Sequence, residues 1–179
     1  MGGGQGSGNA VYVAVVGPGE DATEREVEIA RSVGSLLAER SAIVVCGGLG
    51  GVMAAACEGA ADHAGLTIGL LPGLDRAAAE RAGNRHLSVV LPTGLGELRN
   101  GLVVNAADAV IAIGGSWGTL SEIALAMRTG KPTILLGGWT VDGPARLAGV
   151  PRSAVSPEDA VEQALLLAGA TAAARRGDY

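Results

Sequence analysis

The stretch that most constrains the fold runs from Ala109 to Arg128. Ala109-Val110-Ile111-Ala112-Ile113 is an uninterrupted apolar run with strand character. Gly114-Gly115-Ser116-Trp117-Gly118-Thr119 follows it, and Leu120 to Arg128 carries a helical pattern. An apolar strand of this kind is buried on both faces, which requires a parallel sheet covered by helices. A glycine turn between such a strand and a helix also makes an anion site. The first N–H groups of a helix have no internal partner and lie at its positive end. Glu122 has two readings from local sequence. With Thr119 it spells a capping box, in which the glutamate reaches back to the cap. It can equally face a ligand held by the loop.

The rest of the chain repeats the alternation. Val11 to Val16 predicts a first strand ended by Gly17-Pro18-Gly19. Thr23 and Glu26 form a capping box before a helical period that reaches about Arg40. Ala42 to Cys46 is the second strand, followed by Gly47-Gly48-Leu49-Gly50-Gly51 and an alanine-rich helix to about Ala64. Leu66 to Leu71 is the third strand and His86 to Leu91 the fourth; Leu74 to Arg85 is either a short helix or a loop over the site. A helix over Leu98 to Ala106 carries Arg99 near its start. Pro132 to Leu136 is a sixth strand and Ser153 to Val155 a short edge strand. Ser156-Pro157-Glu158-Asp159 then starts a last helix, with Ser as cap and Pro at the first position. The pattern predicts a single α/β domain over residues 10–175, a Rossmann-like doubly wound parallel sheet. Residues 1–9 are expected to form a disordered tail. Three glycine loops, 17–19, 47–51 and 114–118, fall at carboxyl ends of strands, where such sheets bind ligands.

Composition narrows the chemistry. Hydrophobic residues make up 48% of the chain. No uncharged apolar run approaches the roughly 18 residues of a membrane span. The net charge of −5 gives no basic footprint, and two Trp, two Tyr and no Phe leave little to stack nucleic-acid bases on. We therefore expect neither nucleic acid nor membrane as a partner. Cys46 and Cys57 fit reduced core positions in a cytoplasmic protein. His63 and His86 lack metal-ligand spacing, so no metal site is expected. Gly17-Pro18-Gly19-Glu20-Asp21-Ala22 formally fits a dinucleotide fingerprint, but Glu20 and Asp21 would face a pyrophosphate. No Walker A motif is present. The sole lysine, Lys131, reads as a helix-end charge rather than a Schiff-base residue.

Taken together, the 47–53 loop, Arg99 and Gly114 to Glu122 resemble the LOG ("lonely guy") family of phosphoribohydrolases, often mislabelled lysine decarboxylases. The family hallmark P-G-G-x-G-T-x-x-E is matched from Gly114 to Glu122, with Gly114 for Pro and Ser116 for the second Gly. Its upstream R-K pair is matched by Arg99-Asn100, and its G-G-G-x-x-G-L-M loop by Gly47 to Met53, one residue shorter. The Arg-Asn and Gly-Gly-x-x-Gly-Thr features are more similar still to the branch related to the molybdenum cofactor carrier protein. The resemblance implies hydrolysis of the N-glycosidic bond of a nucleoside 5′-monophosphate, without a cofactor, by a homodimer. It makes Arg99 and Glu122 the catalytic pair. It gives phosphate or nucleotide contacts to Gly17, Gly47, Gly48, Gly50, Gly51, Met53, Asn100, Gly114, Gly115, Ser116, Trp117, Gly118 and Thr119. The alternative is a non-catalytic carrier for molybdenum cofactor or another phosphorylated nucleotide-like ligand. The sequence leans towards the enzyme.

Overall fold

The computed structural model describes residues 10–142 and 150–177, with side chains to Thr171. The expected tail, residues 1–9, lies outside the described residues. Seven parallel strands form one sheet: β1 (Tyr12–Val16), β2 (Ile43–Cys46), β3 (Thr67–Leu71), β4 (Val89–Pro92), β5 (Ala109–Ile113), β6 (Thr133–Leu136) and β7 (Arg152–Ser153). Their order is β4-β3-β2-β1-β5-β6-β7. The helices are α1 (Glu24–Glu39), α2 (Val52–Asp62), α3 (Arg76–Ala82), α4 (Asn100–Asn105), α5 (Trp117–Arg128) and α6 (Pro157–Gly177). A 3-10 turn at Gly96–Arg99 precedes α4.

The strand sequences explain the layering. Successive side chains of a strand point to opposite faces. Val13, Val15, Val44, Ile111, Ile113 and Ile134 pack under α1, α2 and α6. Their neighbours Ala14, Val16, Val45, Val110, Ala112 and Leu135 pack under α4 and α5. Apolar residues on both faces leave these strands no route to solvent, so they read as continuous runs. This is the doubly wound, Rossmann-like sheet the alternation predicts.

The ends of elements follow local chemistry. Thr23 and Glu26 form the expected capping box on α1, the Glu26 carboxylate accepting the Thr23 N–H at 2.7 Å. Ser156 caps α6, its hydroxyl accepting the Asp159 N–H at 3.2 Å. Within residues 74–85 a short helix forms, α3, capped by Asp75. The fourth strand begins at Val89 rather than His86: the Ser88 N–H reaches the Thr67 carbonyl at 3.1 Å, and side-chain bonds hold the residues before the strand. The Thr67 hydroxyl donates to the His86 carbonyl at 2.7 Å and accepts the Ser88 N–H at 2.8 Å. Lys131 donates to the carbonyls of Asn105 and Ala107 at the end of α4. It is a helix-end cation, on the neighbouring helix.

Candidate functional site

Chain progression reverses between β1 and β5. From β1 the chain winds outward through β2, β3 and β4; it then crosses back to β5 and winds the other way. The loops leaving β1 and β5 therefore diverge, and a cleft of about 750 Å³ opens between them at the carboxyl ends. Gly17 and Gly19 border it after β1, Leu49 and Met53 from the second glycine loop and α2, and Glu97 to Gly101 from the 3-10 turn and the start of α4. The start of α5 forms the remaining wall. The volume suits a nucleotide-sized molecule.

Helix α5 has a core face and a cleft face. Ile123 and Ala126 are buried in the core, and the buried Thr119 borders the cleft at the first turn. Gly118, Ser121, Glu122 and Leu125, spaced i, i+3, i+4 and i+7, line the cleft. The helix begins three residues earlier than the Thr119–Glu122 capping box requires. Gly114 turns the chain at φ 63° directly after β5, and Ser116 becomes the cap, accepting the Thr119 N–H at 3.2 Å. The Leu120 N–H bonds the Ser116 carbonyl at 2.9 Å. That leaves the first two amides, of Trp117 and Gly118, with no intrahelical acceptor, at the positive end of a helix bordering the cleft. Glu122 consequently lies in the second turn and caps nothing.

Arg99 and Glu122 are each 7% exposed, and both border the cleft. The Arg99 guanidinium lies against Gly47, where an added Cβ would stand 2.4 Å from Nη1. Nη1 donates to the Asn100 Oδ1 at 3.1 Å, while the buried Nε has no partner. Asn100 passes the link on: its Nδ2 donates to Ser121 Oγ at 3.0 Å, and Ser121 Oγ donates to the Gly118 carbonyl at 2.7 Å. The 3-10 turn and α5 are thereby tied across the cleft. Burial raises the Glu122 carboxyl from 4.5 to about 7, against the opposing pull of Arg99. Among the described residues the two form no ion pair, and the Glu122 carboxylate accepts no hydrogen bond.

Of the residues singled out from the sequence, the cleft brings together Gly17, Met53, Arg99, Asn100, Ser116, Trp117, Gly118, Thr119 and Glu122. The other glycines are not part of its lining. Gly48 packs on Leu71, and a Cβ on Gly51 would meet the Gly19 carbonyl at 1.9 Å. Gly114 abuts the Glu26 carboxylate on the opposite side of the sheet, and Gly115 abuts the Trp139 ring. Gly50 has open space beside it. Sequence reasoning missed Asn84, whose Nδ2 donates to the carbonyls of Gly48 and Leu49 at 3.1 and 3.2 Å and so holds the glycine loop in place. It also missed Trp139, whose indole N–H donates to the Ser116 carbonyl at 3.1 Å. Neither has a local motif. Beneath the loop, Cys46 and Cys57 are buried free thiols with sulfurs 3.5 Å apart. No group of three potential metal ligands occurs among the described residues.

The fold and cleft define a Rossmann-like α/β protein with an anion-receptive helix start at its topological switch point. Sequence comparison then gives the family: the chain belongs to the SLOG cluster4 family, whose model matches residues 10–167. It is 38% identical over 121 residues to an uncharacterised protein of Archaeoglobus fulgidus, covering 68% of this chain and 76% of that one. The structure is similar to that of the molybdenum cofactor binding protein of the phototrophic bacterium Rippkaea orientalis, at 35% identity and a TM-score of 0.77, covering 87% of this chain and 96% of the other. It is likewise similar to the molybdenum cofactor carrier protein of Chlamydomonas reinhardtii, at 29% identity and a TM-score of 0.77, covering 89% and 99%.

Proposed function

We propose that this chain binds a phosphorylated pterin of the molybdenum cofactor type in the switch-point cleft and holds it without turnover. The observation that carries this is the pairing of two free amides at the start of α5 with a buried, incompletely bonded Arg99 in one cleft. Both features favour an anion, and neither requires bond cleavage. The likeness to a binding protein and a carrier for that cofactor supports holding over hydrolysis. The ligand's phosphate sits at the amides of Trp117 and Gly118, and Arg99 neutralises charge deeper in the cleft. The ligand is cargo. Its molybdenum chemistry belongs to the cofactor, and the chain's residues bind, orient and shield it.

The hydrolytic reading keeps one specific observation in its favour. A carboxyl raised to about 7 beside a phosphate cradle is poised for proton transfer near neutral pH. In that case Glu122 and Arg99 would cleave an N-glycosidic bond of a nucleoside 5′-monophosphate. No nucleic acid is expected in either case, given the net charge of −5.

Incubation with a panel of nucleoside 5′-monophosphates, followed by chromatography for free base, separates the two readings. The carrier reading expects thermal stabilisation by phosphorylated ligands and no base release. Base release that vanishes in Arg99→Ala and Glu122→Ala would make the protein an enzyme.

A further inference from the structure

We propose that Glu122 is a specificity-determining residue that accepts two hydrogen bonds from the 2-amino-4-oxopyrimidine edge of the ligand's heterocycle, with Trp117 stacking on that ring's face. The inference rests on the binding reading above and adds which ring the cleft selects.

Glu122 carries the first half. A carboxylate is an acceptor only, with two oxygens to satisfy, and leaving it buried without donors is costly. This one is 7% exposed, borders the cleft and receives no hydrogen bond from any described residue. The nearby cation does not supply one, since Arg99 and Glu122 form no ion pair and the Arg99 Nη1 turns to Asn100 instead. Donors on a molecule that enters the cleft can therefore take up both oxygens. Gly118 and Glu122 are four residues apart, on one face of α5. A ligand anchored by its phosphate at the Gly118 amide thus passes the carboxylate. A 2-amino-4-oxopyrimidine, as in guanine and in pterins, presents a ring N–H and an exocyclic NH₂ side by side, matching the two oxygens. Adenine presents an acceptor nitrogen there and repels them.

Trp117 carries the second half. It is 79% exposed yet borders the cleft, in a chain with two tryptophans and no phenylalanine. Both tryptophans are at this spot: the ring of Trp139 lies 5.4 Å from that of Trp117, tilted by 49°. Trp139 is itself fixed by its bond to the Ser116 carbonyl. An exposed indole backed by a second, anchored indole is a platform for a flat ring.

The test is calorimetric titration of the full chain at pH 8, where Glu122 is ionised, with GMP, IMP and AMP as probes. All three carry the same ribose and phosphate. GMP is expected to bind about tenfold more tightly than IMP, which lacks the exocyclic amine, and AMP more weakly still. In Glu122→Gln the three should converge to within about threefold, and Trp117→Ala should weaken all three together. Equal affinities for the three in the unaltered protein would overturn the edge recognition while leaving the phosphate cradle standing, as docking of Glu122 on the ribose hydroxyls would give. An unchanged affinity in Trp117→Ala would overturn the stacking. Failure of all three probes to bind would overturn this inference, while the binding reading beneath it stands or falls separately on retention of the pterin cofactor.

Discussion

Glu122 is the residue at which stability and function oppose one another. Its carboxyl rises from 4.5 to about 7 because burial disfavours the charged form. Between those values the unfolded chain has released the proton and the folded chain still holds it. Stability must then fall as pH rises, by about 3 kcal/mol in total, and level off above pH 7. Glu122→Gln removes the titrating group. Urea unfolding across pH 4–8 should lose this slope in the variant, which should be the more stable protein at pH 8. A slope that survives the substitution would assign it to another group. Gly47 gives a complementary case. A methyl there would meet the Arg99 guanidinium at 2.4 Å, and the guanidinium is the end of a flexible side chain. Gly47→Ala is expected to weaken phosphate-ligand affinity at least tenfold while costing about 1 kcal/mol or less of stability, since the arginine can shift. Equal affinity with a large loss of stability would contradict that.

At the scale of the element, α5 shows both what the sequence makes legible and where it stops. The strand–glycine–helix order of 109–128 is plain, because a fully apolar run has few alternatives to a buried parallel strand. The helix start is not. Ser116 and Thr119 are both good caps, and Glu122 follows Thr119 at the same spacing by which Glu26 follows Thr23. One box forms and the other does not. The difference is tertiary: Gly114 folds the chain straight into the helix, and Glu122 is drawn into the cleft wall. For the same reason Asn84 and Trp139 escaped notice, since each acts on a loop 23 to 36 residues away. Ser116→Ala should cost about 1 kcal/mol, read as a lowered Tm, through loss of its bond to the Thr119 N–H. The phosphate affinity should fall with it as the first turn frays. An unaltered Tm would mean the cap is not limiting.

The whole molecule is a sheet whose winding order fixes where a ligand can sit, and that position was readable from the alternation of strands and glycine loops. Which chemistry happens there was not readable, because a phosphate cradle with an arginine and a glutamate serves holding as well as cleaving. The hallmark match inclined the sequence towards hydrolysis; the likeness to cofactor-binding and carrier proteins favours holding. We also propose a homodimer, consistent with exposed Leu98 and Leu102 beside the cleft. Light scattering at micromolar concentration should give twice the chain mass, and a monomer mass would refute it. No helix among the described residues is long and apolar enough to cross a membrane.

The most direct test of the central claim is retention of the cofactor itself. The protein would be mixed anaerobically with molybdenum cofactor released from a molybdoenzyme and passed over a gel-filtration column. Molybdenum and pterin would then be quantified in the protein peak. Co-elution of both, with the pterin phosphate intact and the signal lost in Arg99→Ala, is the expected result. A protein peak free of pterin, from a preparation that does release base from a nucleoside monophosphate, would contradict it.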